Sequence, residues 1–198
     1  MNSNQLLQHA IAHLESLGIE VEFTQAAAIE LAEIKAFEAE LGFRLPADLA
    51  EFYTSCSNGF TMAWEDTPQG VWGNAYLPEL QELRLLRQRW CTDQLGFTHY
   101  HQVSFEQCNA PNLYHWLPLI EEENGDQICV DCQHQTVTYW SHESGDDLVT
   151  LEASFTIWLD QRARHCFQIP PDLYWPSIAN GRGVDWSSDE FDSKYVWG

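Results

Sequence analysis

Apolar residues return every three or four positions at the start of the chain. Leu6, Leu7, Ala10, Ile11, Leu14 and Leu17 form one face, and Gly18 follows where a left-handed residue can close a helix, so the spacing predicts a helix over 3–17. The period then changes: Ile19-Glu-Val-Glu-Phe23 alternates and reads as a short strand or as a linker. Thr24 is the cap expected for a second helix, in which Leu31, Ile34, Phe37 and Leu41 recur at helical spacing and Gly42 is the stop. Leu45-Pro46 restarts the chain. Proline suits the first helical position, where its missing N–H would be unpaired in any case, and Asp48 puts negative charge where the helix dipole favours it. Leu49, Phe52, Tyr53 and Cys56 make the inward stripe of this third helix, and Asn58-Gly59 ends it.

Beyond Gly59, residues 60–64 and 71–76 read as short β-segments around a Pro-Gln-Gly turn at 68–70. Pro78 to Trp90 predicts a helix with Leu80, Leu83 and either Leu85 or Leu86 facing inward. Residues 91–115 settle into neither period. Trp116–Ile120, Gln127–Val130 and Thr136–Trp140 predict three strands whose short polar connections suit antiparallel neighbours. Strands with outer helices, and no repeated strand-helix-strand rhythm, predict an α+β fold with a mostly antiparallel or mixed central sheet. From Phe167 onward Pro and Gly break any long helix, yet Leu173, Trp175, Trp186, Phe191, Tyr195 and Trp197 carry too much apolar surface for a free tail. The expectation is a domain over 1–166 with an extension, 167–198, packed back on it. Covering a sheet edge is one role for that extension, and a homodimer contact is another.

Charge narrows the function. The formal net charge is −21 with a sequence pI near 4.4, and a surface so negative repels both nucleic acid phosphates and anionic membrane faces. Helix chemistry accounts for part of the nine cations: Arg84, Arg87 and Arg89 fall late in one predicted helix, Arg162 and Arg164 late in another, where the helix dipole suits them. The N-terminus shows no basic segment followed by an apolar one, and no window approaches a membrane span. The six cysteines therefore read as reduced thiols of a cytoplasmic protein.

Candidate chemistry is thin. Cys129-Val-Asp-Cys132 has the spacing of a zinc knuckle or redox pair, but Cys129 falls inside a predicted strand and no second close-spaced ligand pair accompanies it, so neither metal nor cofactor is expected. His99-x-His101, His115, His134 and His142 offer a set that could converge, but two histidines alternating on a strand are common by chance, and structural roles are the stronger reading. No nucleophile elbow, zinc-protease helix, phosphate-cradling loop or dinucleotide fingerprint is present, and an enzyme is not expected. The carboxylates Glu121, Glu122, Glu123 and Asp126, joined by Glu143, Asp146 and Asp147, stand on two strand connections and are the candidate partner-binding rim. Solvated acidic turns are the simpler reading of the same residues. Asp185, Asp189, Glu190 and Asp192 form a second acidic cluster.

Several of these segments carry a resemblance in their order. A helix ending in Leu41-Gly42, the link through Leu45-Pro46 into Asp48-x-x-x-Phe52, and the Ser57-Asn-Gly59 stop come first. Trp116-Leu-Pro118-Leu-Ile and Gly125-Asp126-Gln-Ile-Cys-Val-Asp131 follow, and Leu148 to Leu159, with its Ser154-Phe155 pair, stands as the closing helix. The set spans most of residues 24–165 and resembles the SMI1/KNR4 family, also called the SUKH superfamily. That resemblance implies a non-enzymatic protein-binding domain. In bacteria it implies chiefly an immunity protein that neutralises a cognate toxin, and many such toxins are nucleases with basic clefts. The alternative it implies is an intracellular scaffold or regulator of cell-wall synthesis and stress signalling. Either way the expected partner is a basic protein, not nucleic acid or membrane.

Overall fold

In the computed structural model, which describes residues 1–97, 104–122, 125–142, 148–169 and 183–198, the chain runs as follows. The first half holds α1 (Ser3–Ser16), β1 (Val21–Gln25), α2 (Leu31–Leu41), α3 (Ala47–Ser55), β2 (Phe60–Asp66), β3 (Val71–Leu77) and α4 (Leu80–Asp93). The second holds β4 (Trp116–Glu121), β5 (Gln127–Asp131), β6 (Thr136–Trp140), β7 (Leu148–Glu152) and α5 (Phe155–Arg164). The strands form two antiparallel sheets, β1-β2-β3 and β4-β5-β6-β7, each in sequence order. The expected α+β class holds, with the sheet divided in two.

Local chemistry sets most of the boundaries. Asn2 and Gln5 bond each other's backbone N–H in a capping box, and α1 buries Leu6, Leu7, Ala10 and Leu14 against α5. Thr24 is not a helix cap. The alternation begun at Ile19 continues to Gln25, and Thr24 lies inside β1 with its hydroxyl 2.5 Å from that of Thr61. Helix α2 starts later, behind a box made by Glu30 and Glu33, so Leu31 sits outside the buried stripe and is 54% exposed. Ile34, Phe37 and Leu41 go inward as the spacing predicts, and Gly42 takes the left-handed φ of 78°. Pro46 stands one place before its expected position, as the residue that caps α3. Cys56 ends that helix half-buried.

The larger difference is at 148–159. Val149 and Thr150 favour extended backbone, and Ser154 breaks the segment by accepting the N–H of Ile157, so strand β7 precedes a shorter α5. Pro118 is tolerated in β4 because that strand lies at the sheet's edge and its pairing with β5 shifts between Pro118 and Ile120. In the illegible stretch, α4 continues to Asp93, and 105–107 and 111–113 form single 3₁₀ turns.

Two arginines expected late in helices also tie the halves together; Arg162 does lie in the last turn of α5, whereas α4 runs on to Asp93 and leaves Arg87 short of its end. Arg87 of α4 is fully buried and donates to the carbonyls of Tyr114 (2.8 Å) and Trp116 (2.9 Å), while Trp90, one turn on, donates to Leu113. Its guanidinium lies over the rings of Phe43 and Tyr114, at 5.3 and 5.7 Å. Arg162 of α5 donates to Gln168 O and back across the molecule to Asn74 O in β3. Cys166 and Phe167 adopt positive φ, 47° and 55°, which turns the chain so that Phe167 and Ile169 bond along the edge of β3. Gly73 permits that approach: a Cβ there would lie 2.5 Å from Trp64 Nε1 and 2.7 Å from Phe167 O.

The described part of the extension packs as expected. Val184, Phe191 and Tyr195 are buried, Trp186 bonds Glu152, and Trp197 donates to Ala163 O. Replacing Arg87 by Ala strips two buried carbonyls of their donor and leaves a hole. Urea unfolding is expected to show a loss of about 3–5 kcal/mol, against less than about 1 kcal/mol for Arg84→Ala, whose pair with Glu40 is half in water.

Candidate functional site

The acidic rim begins where β4 ends. Glu121 is exposed but engaged, its carboxylate 2.6 Å from the Arg89 guanidinium on α4. Glu122 is half-buried, and its N–H closes the turn by donating to Asp126 O. Asp126 is a correction: only 1% exposed, it faces the protein. Its carboxylate accepts the Tyr139 hydroxyl in a short hydrogen bond, the backbone N–H of His142 at 2.9 Å and, at 2.7 Å, meets the His142 ring. A carboxylate so enclosed ties two strand ends together and is not available to a partner. Glu123, Glu143, Asp146 and Asp147 lie outside the described residues, so three of the seven rim residues are placed and one of those is internal.

The second acidic cluster also has local work. Asp185 accepts from Ser187, and Asp192 accepts the N–H of Lys194, each closing a turn. Asp66 holds Lys194 and Tyr195, whose hydrogen bonds push its carboxyl below the usual range.

The sequence-level metal and redox candidates separate. Cys129 is buried within β5, and Cys132 stands in the following turn with its thiol 3.8 Å from Val130 O. Burial pushes both thiols well upward, and lifts Cys56 to about 11 and Cys166 to about 12. His134 bonds Asp131, His142 bonds Asp126, and His115 packs edge-on to Phe43 and Tyr114, so each described ring has its own structural partner. His99 and His101 lie outside the described residues. Among the described residues no three His, Cys, Asp or Glu side chains converge as a metal site, and no helix is long and apolar enough to cross a membrane. An open depression of about 500 Å³ on α4 is lined by Glu82, Leu85, Gln88, Arg89, Thr92 and Asp93.

One surface escaped the sequence reading. Trp72 and Tyr76 on β3 are exposed at 47% and 38%, on the outward side of the first sheet. The signal was available in the alternation of Val71–Leu77, where Ala75 and Leu77 face inward and Trp72 and Tyr76 therefore face out.

Fold and surface together define a two-sheet α+β protein with an acidic exterior and two buried arginines that bridge its halves. The model of the SMI1 / KNR4 family (SUKH-1) matches residues 28–161, most of the chain, and the protein belongs to that family. No curated protein matches it. Domains of this family generally bind other proteins and are generally not enzymes.

Two outcomes follow from this geometry. Asp126→Ala removes the acceptor shared by Tyr139 and His142 and is expected to cost about 2–4 kcal/mol in urea unfolding, whereas Glu20→Ala, at an exposed position, should stay within about 0.5 kcal/mol. Because raised thiol pKa values lower the thiolate fraction, iodoacetamide at mildly alkaline pH should label Cys129 and Cys132 at least about tenfold more slowly in the folded protein than in urea.

Proposed function

We propose that this protein is a cytoplasmic bacterial immunity protein that binds a basic cognate toxin and blocks it, with no turnover of its own. The observation that carries the reading is the charge of −21 on a domain of the SMI1/KNR4 family. A nuclease toxin must present a basic cleft to hold phosphates, and an acidic protein of fixed shape can occupy or overhang that cleft. Six of the nine Lys and Arg are engaged in the fold: Arg87 and Arg162 are buried, while Arg84, Arg89, Arg164 and Lys194 pair with carboxylates. Glu121 and Glu122 add to the negative field where β4 ends, and Glu123, Glu143, Asp146 and Asp147 belong to the same proposed rim by their positions in the sequence.

A second reading is an intracellular scaffold or regulator of cell-wall synthesis and stress signalling. The aromatic stretch beyond the family match favours it, since a longer folded surface suits a scaffold.

Co-expression decides between them. Cells producing the toxin encoded beside this gene should survive when the protein is present and die without it; equal killing in both rejects immunity. With purified components, the association rate should fall by about tenfold or more between low and high salt, because opposite charge steers the encounter. A salt-independent rate rejects the electrostatic part.

A further inference from the structure

The three strands of the first sheet alternate cleanly. Phe60, Met62, Trp64, Ala75 and Leu77 face the core, which turns Thr61, Ala63, Glu65, Trp72, Asn74 and Tyr76 to the other side, where all six are exposed. Register sets Glu65 opposite Trp72, Asn74 opposite Ala63 and Ala63 opposite Glu22. Trp72 and Tyr76 share a face four residues apart, about 13 Å along the strand. Two large aromatic side chains left in water on a polar sheet face hold apolar area that folding has not used.

The charged side chains of the sheet itself have one sign, the nearby cations Arg162 and Lys194 being held by Asn74 O and Asp66. Strands β1, β2 and β3 contain no Lys or Arg. Partial burial, then a hydrogen bond to Glu82, raises the Tyr76 phenol above its ordinary range, with Glu79 adding to the effect. Among the described residues, Glu22, Glu65, Glu79 and Glu82 pair with no Lys or Arg, unlike Glu121 at the rim. An aromatic face attracts a cation through its ring quadrupole, and flanking carboxylates add Coulomb attraction. The chain already stacks cations this way, with Arg84 over Phe37 and Arg164 over Trp197, each at 5.2 Å. A second copy of the chain is a poor occupant, because it brings another −21 charges, and nucleic acid is repelled for the same reason.

We propose that the outward face of β1-β2-β3, centred on Trp72 and Tyr76, is the docking surface for a basic protein partner, which seats arginine or lysine side chains on the two rings between the flanking carboxylates. This deepens the function proposed above and rests on it for the partner's identity, but the face can be tested without any toxin.

The probe is a terminally blocked hepta-arginine peptide at physiological ionic strength, followed by anisotropy and by amide NMR shifts. Shifts are expected over 61–65 and 72–76, and W72A/Y76A, which changes no charge, should weaken binding by about tenfold while leaving the melting temperature within a few degrees. E121Q/E122Q should weaken it less than about twofold. Unaltered affinity in W72A/Y76A, or shifts centred on 121–122, overturns the proposal. The two readings fail separately. A W72A/Y76A protein that loses the peptide and still protects cells as well as the native chain refutes this surface and leaves neutralisation standing. Native protein that binds the peptide on this face and protects against no toxin refutes neutralisation and leaves the surface standing.

Discussion

Two buried guanidinium groups pin the halves of this fold together across a shared hydrophobic core. The sheets do not share a strand pairing, and besides the packing of that core Arg87 and Arg162 join the halves by reaching backbone carbonyls of the opposite half. Removing a guanidinium from water is costly. Carbonyl acceptors and aromatic rings offset the cost, each hydrogen bond to a charged donor contributing about 1.5–3 kcal/mol. Neither group is neutralised by a buried carboxylate among the described residues. The carbonyls served by Arg87 lie in or just before β4, so residues 113–116, which lead into that strand, are fixed by side chains of α4.

The same arrangement shapes the exterior. A chain with 9 Lys and Arg against 30 Asp and Glu has little positive charge to distribute, and here two arginines are inside while four further cations are held in ion pairs. The carboxylates that remain repel one another, which opposes compactness, and they repel further copies of the chain. A protein in this condition gains most from a partner of opposite sign. Stability and binding are thus linked through one inventory of charge.

What the sequence disclosed follows the range of the interactions. Helix α1, the Gly42 stop and the alternation of β2 and β3 depend on residues a few positions apart, and periodicity finds them. Strand β7 was hidden because Leu148 to Leu159 reads as one apolar segment until Ser154 is recognised as a cap. Asp126 reads as a solvated carboxylate because it stands beside glycine in a polar turn, while its partners, Tyr139 and His142, are 13 and 16 residues away. Arg87 is similar: helical position accounts for a basic residue near a C-terminus, but the carbonyls it reaches lie 27 and 29 residues on. Trp72 and Tyr76 are legible from the alternation of β3 alone, as aromatic residues on its outward side.

The central claim is that a rigid, arginine-pinned body offers an acidic sheet face to a cationic protein. Hydrogen exchange on the free protein and on its complex with the partner isolated from its own cells, at low and at high salt, tests it most directly. The account predicts a basic partner and added protection over 60–66 and 71–77 that high salt removes, with exchange in α1 and α5 unchanged. An acidic partner, or protection confined to other segments and indifferent to salt, contradicts it.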